Sequence, residues 1–185
     1  LNGSEHLNNK NICAILPYRE SEILIGTSFG GLYVFDGSRI SPFRTEVDEF
    51  LRRNQLYACV ASDSLIAFGT VLNGVVITDI RGEHPRYIDN KNGLQNNTIL
   101  SLYFDREENL WLGLDIGIDR ININSPLSDL YGRINFRGSG YTSCIYGDYL
   151  YLGTNQGLYY VKWPLDSDNS LTDLTLVEGT QGQIW

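Results

Sequence analysis

Residues 94–121 read LQNNTILSLYFDREENLWLGLDIGIDRI, and this stretch decides the fold of the chain. It holds an asparagine-rich turn, an apolar run, an acidic turn, a second apolar run that ends at Gly113, and a third run that follows Gly117. Short apolar runs bounded by Gly, Asn or Asp are typical of strands rather than helices. The stretch therefore predicts three short antiparallel strands joined by tight turns.

Weaker copies of this stretch recur along the 185 residues. The glycines equivalent to Gly113 are Gly26, Gly69 and Gly153, and a second glycine follows each of the four at Gly31, Gly74, Gly117 and Gly157. The apolar run that ends at each anchor glycine, one run before it and two runs after it give four strands in roughly 40–45 residues, which is the spacing of a β-propeller blade. We therefore predict an all-β fold, a β-propeller fragment of about four four-stranded antiparallel blades plus the first strand of a fifth.

The predicted blades span approximately residues 11–45, 56–89, 98–136 and 141–178, and residues 182–185 start the next inner strand. Two segments depart from the repeat. Residues 46–53 place apolar side chains at i, i+3 and i+4, which predicts a short helical turn, whereas residues 163–172 form an irregular connection. Four blades are fewer than a closed ring usually has. We therefore expect the remainder of the chain's own propeller or ectodomain as a partner, and self-association through exposed blade faces.

Small residues are expected where inner strands converge on a propeller axis. Alignment of the predicted inner strands places Ala14, Cys59, Ser101 and Cys144 in one column. Two of the three cysteines are thereby interpreted as packing residues. Their odd number and the lack of a C-x-x-C spacing argue against a disulfide scaffold or a zinc site.

Composition excludes several classes of function. A net charge of −8 disfavours a nucleic-acid partner. No apolar run approaches the roughly 20 residues that cross a bilayer, so no membrane contact by this region is expected. No cofactor motif is present, and none is predicted. The sequence also lacks Met and a signal peptide, which indicates a processed chain or part of a longer one.

The opening stretch closely resembles the two-component regulator propeller repeat. That repeat reads as a Gly-Leu-x-x-Asn turn, a strand, an Asp-x-x-Gly-Asn-like turn, Leu-Trp-[Leu/Ile]-Gly, and Gly-[Leu/Ile]-x-[Arg/Lys]-[Leu/Ile/Phe]. Its counterparts here are Gly93 to Asn97, residues 110–113 and residues 117–121. Glu108 departs from the pattern, because it stands where the family often has Gly.

This resemblance implies a function. Such repeats form the extracytoplasmic region of bacterial hybrid two-component systems, which join a sensor histidine kinase to a response regulator. The resemblance therefore implies a periplasmic region that detects an oligosaccharide and transmits the signal across the membrane, through a phosphorelay, to control transcription. The fragment itself is expected not to be an enzyme, although the full-length protein would by resemblance be a histidine kinase.

Two alternatives stay open. A protein-interaction scaffold of the WD-repeat type would show recurring Gly-His and Trp-Asp pairs, and neither dipeptide recurs. A propeller lyase or glycosidase would need converging His, Tyr and carboxylate side chains, and the two histidines, His6 and His84, do not follow the repeat.

The predicted ligand face comprises the segments entering the inner strands and the turns between second and third strands. Amides, aromatic rings and guanidinium groups there suit a sugar or a sulfate. The candidate ligand-binding residues are Arg52, Arg53, Asn54, Tyr57, Asn73, Asn97, Tyr141 and Asn155, with Phe29 on the same face. A purely structural interpretation competes, since Asn in turns commonly bonds its own backbone.

No catalytic or metal-binding residues are predicted. Asp166, Asp168 and Asn169 resemble part of a calcium loop, but the glycine and distal glutamate of that loop are missing. The carboxylate pairs Glu20/Glu22 and Glu107/Glu108 fall in turns on the face opposite the ligand face, and they are expected to be surface charge.

Overall fold

The computed structural model describes residues 1–125, 134, 136, 138–165 and 172–185. The chain divides into two compact units, Leu1–Pro126 (unit 1) and Leu127–Trp185 (unit 2). Within the described residues, none of the helices has both the length and the apolar character needed to cross a bilayer.

The described residues form antiparallel sheets whose neighbouring strands are also neighbours in sequence. Sheet 1 contains β1 (Ile12–Tyr18), β2 (Glu22–Thr27), β3 (Gly31–Phe35) and β4 (Ile40–Phe43). Sheet 2 contains β5 (Leu56–Ala61), β6 (Leu65–Thr70), β7 (Val75–Asp79) and β8 (Arg86–Ile88). Sheet 3 contains β9 (Ile99–Phe104), β10 (Leu110–Leu114) and β11 (Ile118–Ile121). Sheet 4, in unit 2, contains β12 (Gly140–Tyr146), β13 (Tyr149–Thr154), β14 (Leu158–Lys162) and β15 (Thr175–Leu176).

These sheets confirm the all-β, blade-like architecture that the sequence predicts. The predicted helical turn is also confirmed, because α1 spans Asp48–Asn54 and buries Leu51. A 3-10 helix at Ser4–Leu7 precedes sheet 1. The predicted fourth strand of the third blade, residues 131–136, lies outside the described residues apart from Ile134 and Phe136.

A β-bulge follows the first residue of every inner strand. In sheet 2, for example, Leu56 pairs with Thr70 while Ala58 pairs with Gly69, so Tyr57 has no cross-strand partner. The equivalent bulged residues of the other sheets are Cys13, Leu100 and Tyr141. A bulge re-aims the side chain of its extra residue, and it does so here at the same place in each sheet.

The bulge corrects the predicted column of small residues. The residues that pair with the anchor glycines are Ala14, Ala58, Ser101 and Thr142. Cys59 pairs instead with Phe68, and Cys144 with Tyr151. The residues in this column have small side chains, as expected. The prediction of Cys59 and Cys144 as members was wrong, because an alignment of apolar runs does not count the extra bulged residue.

Glycine lets the sheets of unit 1 approach closely. A Cβ on Gly26 would lie 3.0 Å from Cδ2 of Leu56, and one on Gly69 would lie 2.6 Å from Cγ2 of Ile99. Leu56 and Ile99 are fully buried and open the inner strands of sheets 2 and 3. Gly26 and Gly69 therefore each receive the first core side chain of the following inner strand, and apolar clusters fill the two inter-sheet spaces.

Unit 2 repeats this contact near its end. A Cβ on Gly153 would lie 3.0 Å from Cγ2 of Ile184, and the Ile184 amide donates to the Thr154 carbonyl at 3.0 Å. Residues 182–185, where the sequence predicts the next inner strand, are not in a strand. Ile184 nevertheless occupies the place toward Gly153 that Leu56 and Ile99 occupy toward their glycines.

Candidate functional site

One edge of unit 1 collects the segments that the sequence predicts as a ligand face. The segments that enter the inner strands are joined by backbone hydrogen bonds to the turns between second and third strands. These bonds run from Ser28 N to Asn11 O (2.9 Å), Leu56 N to Ser28 O (3.0 Å), Val71 N to Gln55 O (3.0 Å) and Asp115 N to Thr98 O (3.1 Å). We call this surface, residues 28–30, 54–57, 71–74, 97–100 and 115–117, the entry edge.

The entry edge exposes apolar side chains at equivalent positions. The third residue after each anchor glycine of unit 1 is Phe29, Leu72 or Ile116, and all three are exposed. Tyr57 and Leu100, at the bulges, are exposed as well. In sheets 2 and 3, therefore, the bulge exposes one apolar residue to solvent and the turn exposes another.

Two exposed aromatic residues lie on neighbouring segments of this edge. The hydrogen bond between Leu56 and Ser28 brings their chain segments side by side. Phe29 and Tyr57 are the next residues of these segments, and they are 58 % and 45 % exposed. The two residues belong to the segments of two different sheets, so no local pattern in the sequence reveals that they share this edge.

Four of the predicted ligand residues, Asn54, Tyr57, Asn73 and Asn97, lie on the entry edge. The side chains of two of these asparagines already have backbone partners. Nδ2 of Asn54 donates to the Phe50 carbonyl at 2.9 Å, and Oδ1 of Asn97 accepts from the Asn90 amide at 2.7 Å. Each of these two side-chain amides therefore already makes a hydrogen bond to the local backbone, as the competing structural interpretation expects.

Arg52 and Arg53 are engaged within α1. Nε of Arg52 donates to the Asp48 carbonyl at 3.3 Å, and the Arg53 guanidinium forms an ion pair with Glu49 one turn earlier. Both side chains are exposed, so the ion pair is screened by water. The adjacent arginines thus have a helix-stabilising use, and only the end of α1 touches the entry edge.

The last two predicted residues, Tyr141 and Asn155, belong to unit 2. The Asn155 amide oxygen accepts from the Ser139 amide at 2.9 Å. Tyr141 stacks on Trp185, with ring centroids 4.3 Å apart and planes inclined by 16°. Tyr141 is equivalent to Tyr57 by register, but its ring already has an aromatic neighbour.

A second set of interactions explains why the opening stretch is so strongly patterned. The Asp105 carboxylate accepts hydrogen bonds from Nε1 of Trp111 (2.8 Å) and from the amides of Asn109 and Glu107 (2.9 Å each). The Trp111 bond, followed by the Asn109 bonds, lowers the pKa of Asp105 to about 2. Asp105 thus fixes the acidic turn and holds the indole in place, a link between residues 105 and 111 that the sequence analysis missed.

A cleft of about 500 Å³ lies at the opposite edge of sheets 1 and 2. Its lining includes Arg19, Glu20, Ser62 and Asp63, and the Tyr18 hydroxyl donates to the Ile80 carbonyl at 2.7 Å. Burial raises the pKa of this Tyr18 hydroxyl. Glu20 thus lies away from the entry edge, on the side where the sequence predicts it.

The structure also assembles a cluster that the sequence analysis did not identify. Asp79, Glu83 and His84 bring carboxylate and imidazole atoms within 4.8 Å of one another. The segment around Asp166 and Asp168, which resembles part of a calcium loop but was not predicted to bind a metal, lies outside the described residues. The sequence signal for this cluster is an Asp-x-x-x-Glu-His spacing across a glycine turn, which lies outside the repeat pattern because neither histidine follows the repeat.

Comparison with known proteins places the repeat in a family. Residues 93–115 match the family model described as two component regulator propeller. No curated protein matches the chain. The match covers Gly93, the asparagine turn and the Leu-Trp-Leu-Gly segment, which are the residues on which the sequence resemblance was based.

Solved structures share the fold at low identity. The chain is 22 % identical to the extracellular domain of a putative one component system from B. thetaiotaomicron, with a TM-score of 0.50. The match covers 87 % of this chain and 22 % of the solved one. It is 15 % identical to the extracellular domain of a putative hybrid two component system from B. thetaiotaomicron, with a TM-score of 0.51, covering 88 % of this chain and 23 % of that one.

At these identities the likeness concerns the fold alone, and the chain spans less than a quarter of either solved chain. Family match, sheet topology and structural likeness agree with one another. The chain is an all-β propeller segment, and residues 93–115, which include β9 and β10 of its third sheet, match the two component regulator propeller model.

Proposed function

We propose that this chain is part of the periplasmic, ligand-sensing propeller region of a hybrid two-component system. The match of residues 93–115 to the two component regulator propeller model is the observation that carries this proposal. In such a system the propeller binds and the kinase core, elsewhere in the protein, performs the chemistry. Ligand binding would act by shifting the populations of domain arrangements that differ in affinity for the ligand.

The entry edge is the proposed ligand-binding surface. Its exposed aromatic residues, Phe29 and Tyr57, can stack on the apolar faces of sugar rings, while neighbouring amides bond the sugar hydroxyl groups. An oligosaccharide combines these two demands, because each ring has an apolar face and a polar rim. The ligand class we propose is therefore an oligosaccharide.

The proposed site is not catalytic. A glycosidase of the usual kind needs two carboxyl groups flanking one bond, about 5–10 Å apart. The entry edge carries Asp115 as its only carboxylate among the residues that define it. Binding without turnover is thus the expected behaviour of this surface.

A panel of oligosaccharides tests the proposal by calorimetry, with product analysis of the same samples. We expect saturable binding of at least one member without cleavage, and a loss of affinity of at least about tenfold in Tyr57→Ala, the size of one lost aromatic contact. The matched control is Tyr103→Ala, since Tyr103 is equally an exposed tyrosine of unit 1 but lies on the face of sheet 3. Cleavage of a panel member would support the enzyme alternative. Unchanged affinity in both variants would show that the entry edge is not the ligand-binding surface.

A further inference from the structure

The turn between β7 and β8 carries three metal-binding side chains. Asp79 ends β7, and Glu83 and His84 follow after the turn residues 80–82. One ligand atom from each of the three lies within 4.8 Å of the others. Small side-chain rotations would bring these atoms to the separations found around a bound metal ion, because Glu83 and His84 are exposed and free to adjust.

The backbone of this turn is held by hydrogen bonds on both sides. The Gly82 amide donates to the Asp79 carbonyl and the Asp79 amide donates to the Glu83 carbonyl, each at 3.0 Å. The preceding linker closes the turn from outside, since the Glu46 amide donates to the Gly82 carbonyl at 3.0 Å. The His84 amide in turn donates to Oε2 of Glu46 at 3.0 Å. The three ligands therefore project from a backbone that needs little reorganisation on binding.

The charge of the turn favours a cation. The backbone amides of Glu83 and Arg81 both donate hydrogen bonds to the Asp79 carboxylate. Both bonds go to Oδ1 at 2.9 Å, so neither of them occupies Oδ2. Glu46 adds another carboxylate beside His84, and Arg81 is the only basic side chain within residues 79–83.

We propose that Asp79, Glu83 and His84 bind a divalent transition-metal ion of the Zn²⁺ type, with water completing its coordination. The imidazole decides the class of metal, because nitrogen ligands suit Zn²⁺, Co²⁺ and Ni²⁺, whereas Ca²⁺ takes six to eight oxygen ligands. Three protein ligands with open positions are the composition of an accessible zinc site rather than a closed structural one. The ion would pin the β7–β8 turn, on the outer side of sheet 2.

This inference does not depend on the proposed sensing function. The metal ligands lie in the turn between the third and fourth strands of sheet 2, whereas the oligosaccharide surface is the entry edge. Failure of the glycan experiment therefore leaves the metal site untouched, and failure of the metal experiment leaves the sensing proposal untouched.

Titration of the purified, tag-free chain with Zn²⁺ tests the site, with calorimetry for stoichiometry and Co²⁺ absorption for the ligand set. We expect one ion per chain. His84→Asn should weaken binding at least about tenfold through loss of the nitrogen ligand. Asn is chosen because His84 has a φ of +55°, a conformation that Asn tolerates. His6→Asn is the matched control, because it removes the other histidine of the chain.

Three results would overturn the proposal. The first is an absence of saturable binding by the wild-type chain. The second is unchanged affinity in His84→Asn, with circular dichroism confirming that the variant is folded. The third is loss of binding in Cys144→Ser, because the exposed Cys144 thiol is the competing ligand for Zn²⁺. Glu83→Gln, which keeps the shape of the side chain, should also weaken binding.

Discussion

Replacing Gly69 by Ala tests how the sheets of unit 1 pack. A Cβ at this position would lie 2.6 Å from Cγ2 and 2.9 Å from Cβ of Ile99. Both distances are well below van der Waals contact. Ile99 is fully buried, and its Cβ is attached directly to the backbone. No rotation of the Ile99 side chain can therefore relieve the overlap, and strand β9 has to move.

The magnitude follows from two opposing terms. Overpacking of a core costs about 1–3 kcal/mol. Replacement of Gly by Ala at an ordinary φ restores about 0.4–1 kcal/mol by restricting the unfolded chain. The net expectation for Gly69→Ala is a loss of roughly 1–2 kcal/mol in the free energy of unfolding, which lowers Tm by about 2–8 °C at 2–4 °C per kcal/mol.

Two equivalent glycines provide matched controls. A Cβ on Gly26 would meet Cδ2 of Leu56 at 3.0 Å, which is the end of a side chain that can shift. A Cβ on Gly113 would meet Oγ of Ser101 at 2.3 Å, but the Ser101 Cβ is 3.6 Å away, so rotation of the hydroxyl relieves the overlap. The expected order of destabilisation is Gly69→Ala, then Gly26→Ala, then Gly113→Ala.

Urea unfolding followed by circular dichroism measures the three variants under one set of conditions. Adding Ile99→Ala to Gly69→Ala should cost less than the sum of the two single changes, because the double variant lacks the Cγ2 that clashes. The reasoning is refuted if Gly113→Ala destabilises as much as Gly69→Ala. Strict additivity of Gly69→Ala and Ile99→Ala would refute it as well.

Three further predictions concern single side chains. Asp105 has a pKa of about 2 in the folded chain against 3.8 ordinarily, so its stabilising contribution is present above pH 4 and lost as the pH falls from about 4 to 2; Asp105→Asn should flatten acid unfolding in that window, and Asp63→Asn should not. Glu108 has a φ of +59°, so Glu108→Gly should be neutral or stabilising by up to about 1 kcal/mol, whereas Arg106→Gly in the same turn should destabilise by roughly 0.5–1 kcal/mol, and equal thermal shifts would contradict this. Burial raises the pKa of the Cys13 and Cys59 thiols while Cys144 is exposed, so a thiol reagent should modify one cysteine rapidly, and Cys144→Ser should abolish that phase; rapid modification of two would count against the packing of β1 on β5.

The sequence by itself determined the repeat and hence the fold class. The anchor glycines mark where a second strand ends and where the next inner strand approaches. Because each blade needs a residue without a Cβ at this place, glycine recurs there at a nearly fixed interval. Glu108 is an instructive departure, because its φ of +59° is the conformation that the family's Gly at this position would adopt without strain. Helix α1 was likewise predictable, since its apolar spacing is local.

Only the tertiary structure decided which side chains meet. The bulge after the first residue of each inner strand is a feature of pairing geometry, and it moved the small column from Cys59 and Cys144 to Ala58 and Thr142. A hydrogen bond between Leu56 and Ser28 brings the segments that carry Tyr57 and Phe29 side by side, and the Asp79–Glu83–His84 cluster lies on a turn that is bonded to Glu46. Periodicity reports the backbone that every blade shares, whereas a site is built from the residues in which the blades differ, and their distances arise only when the sheets pack.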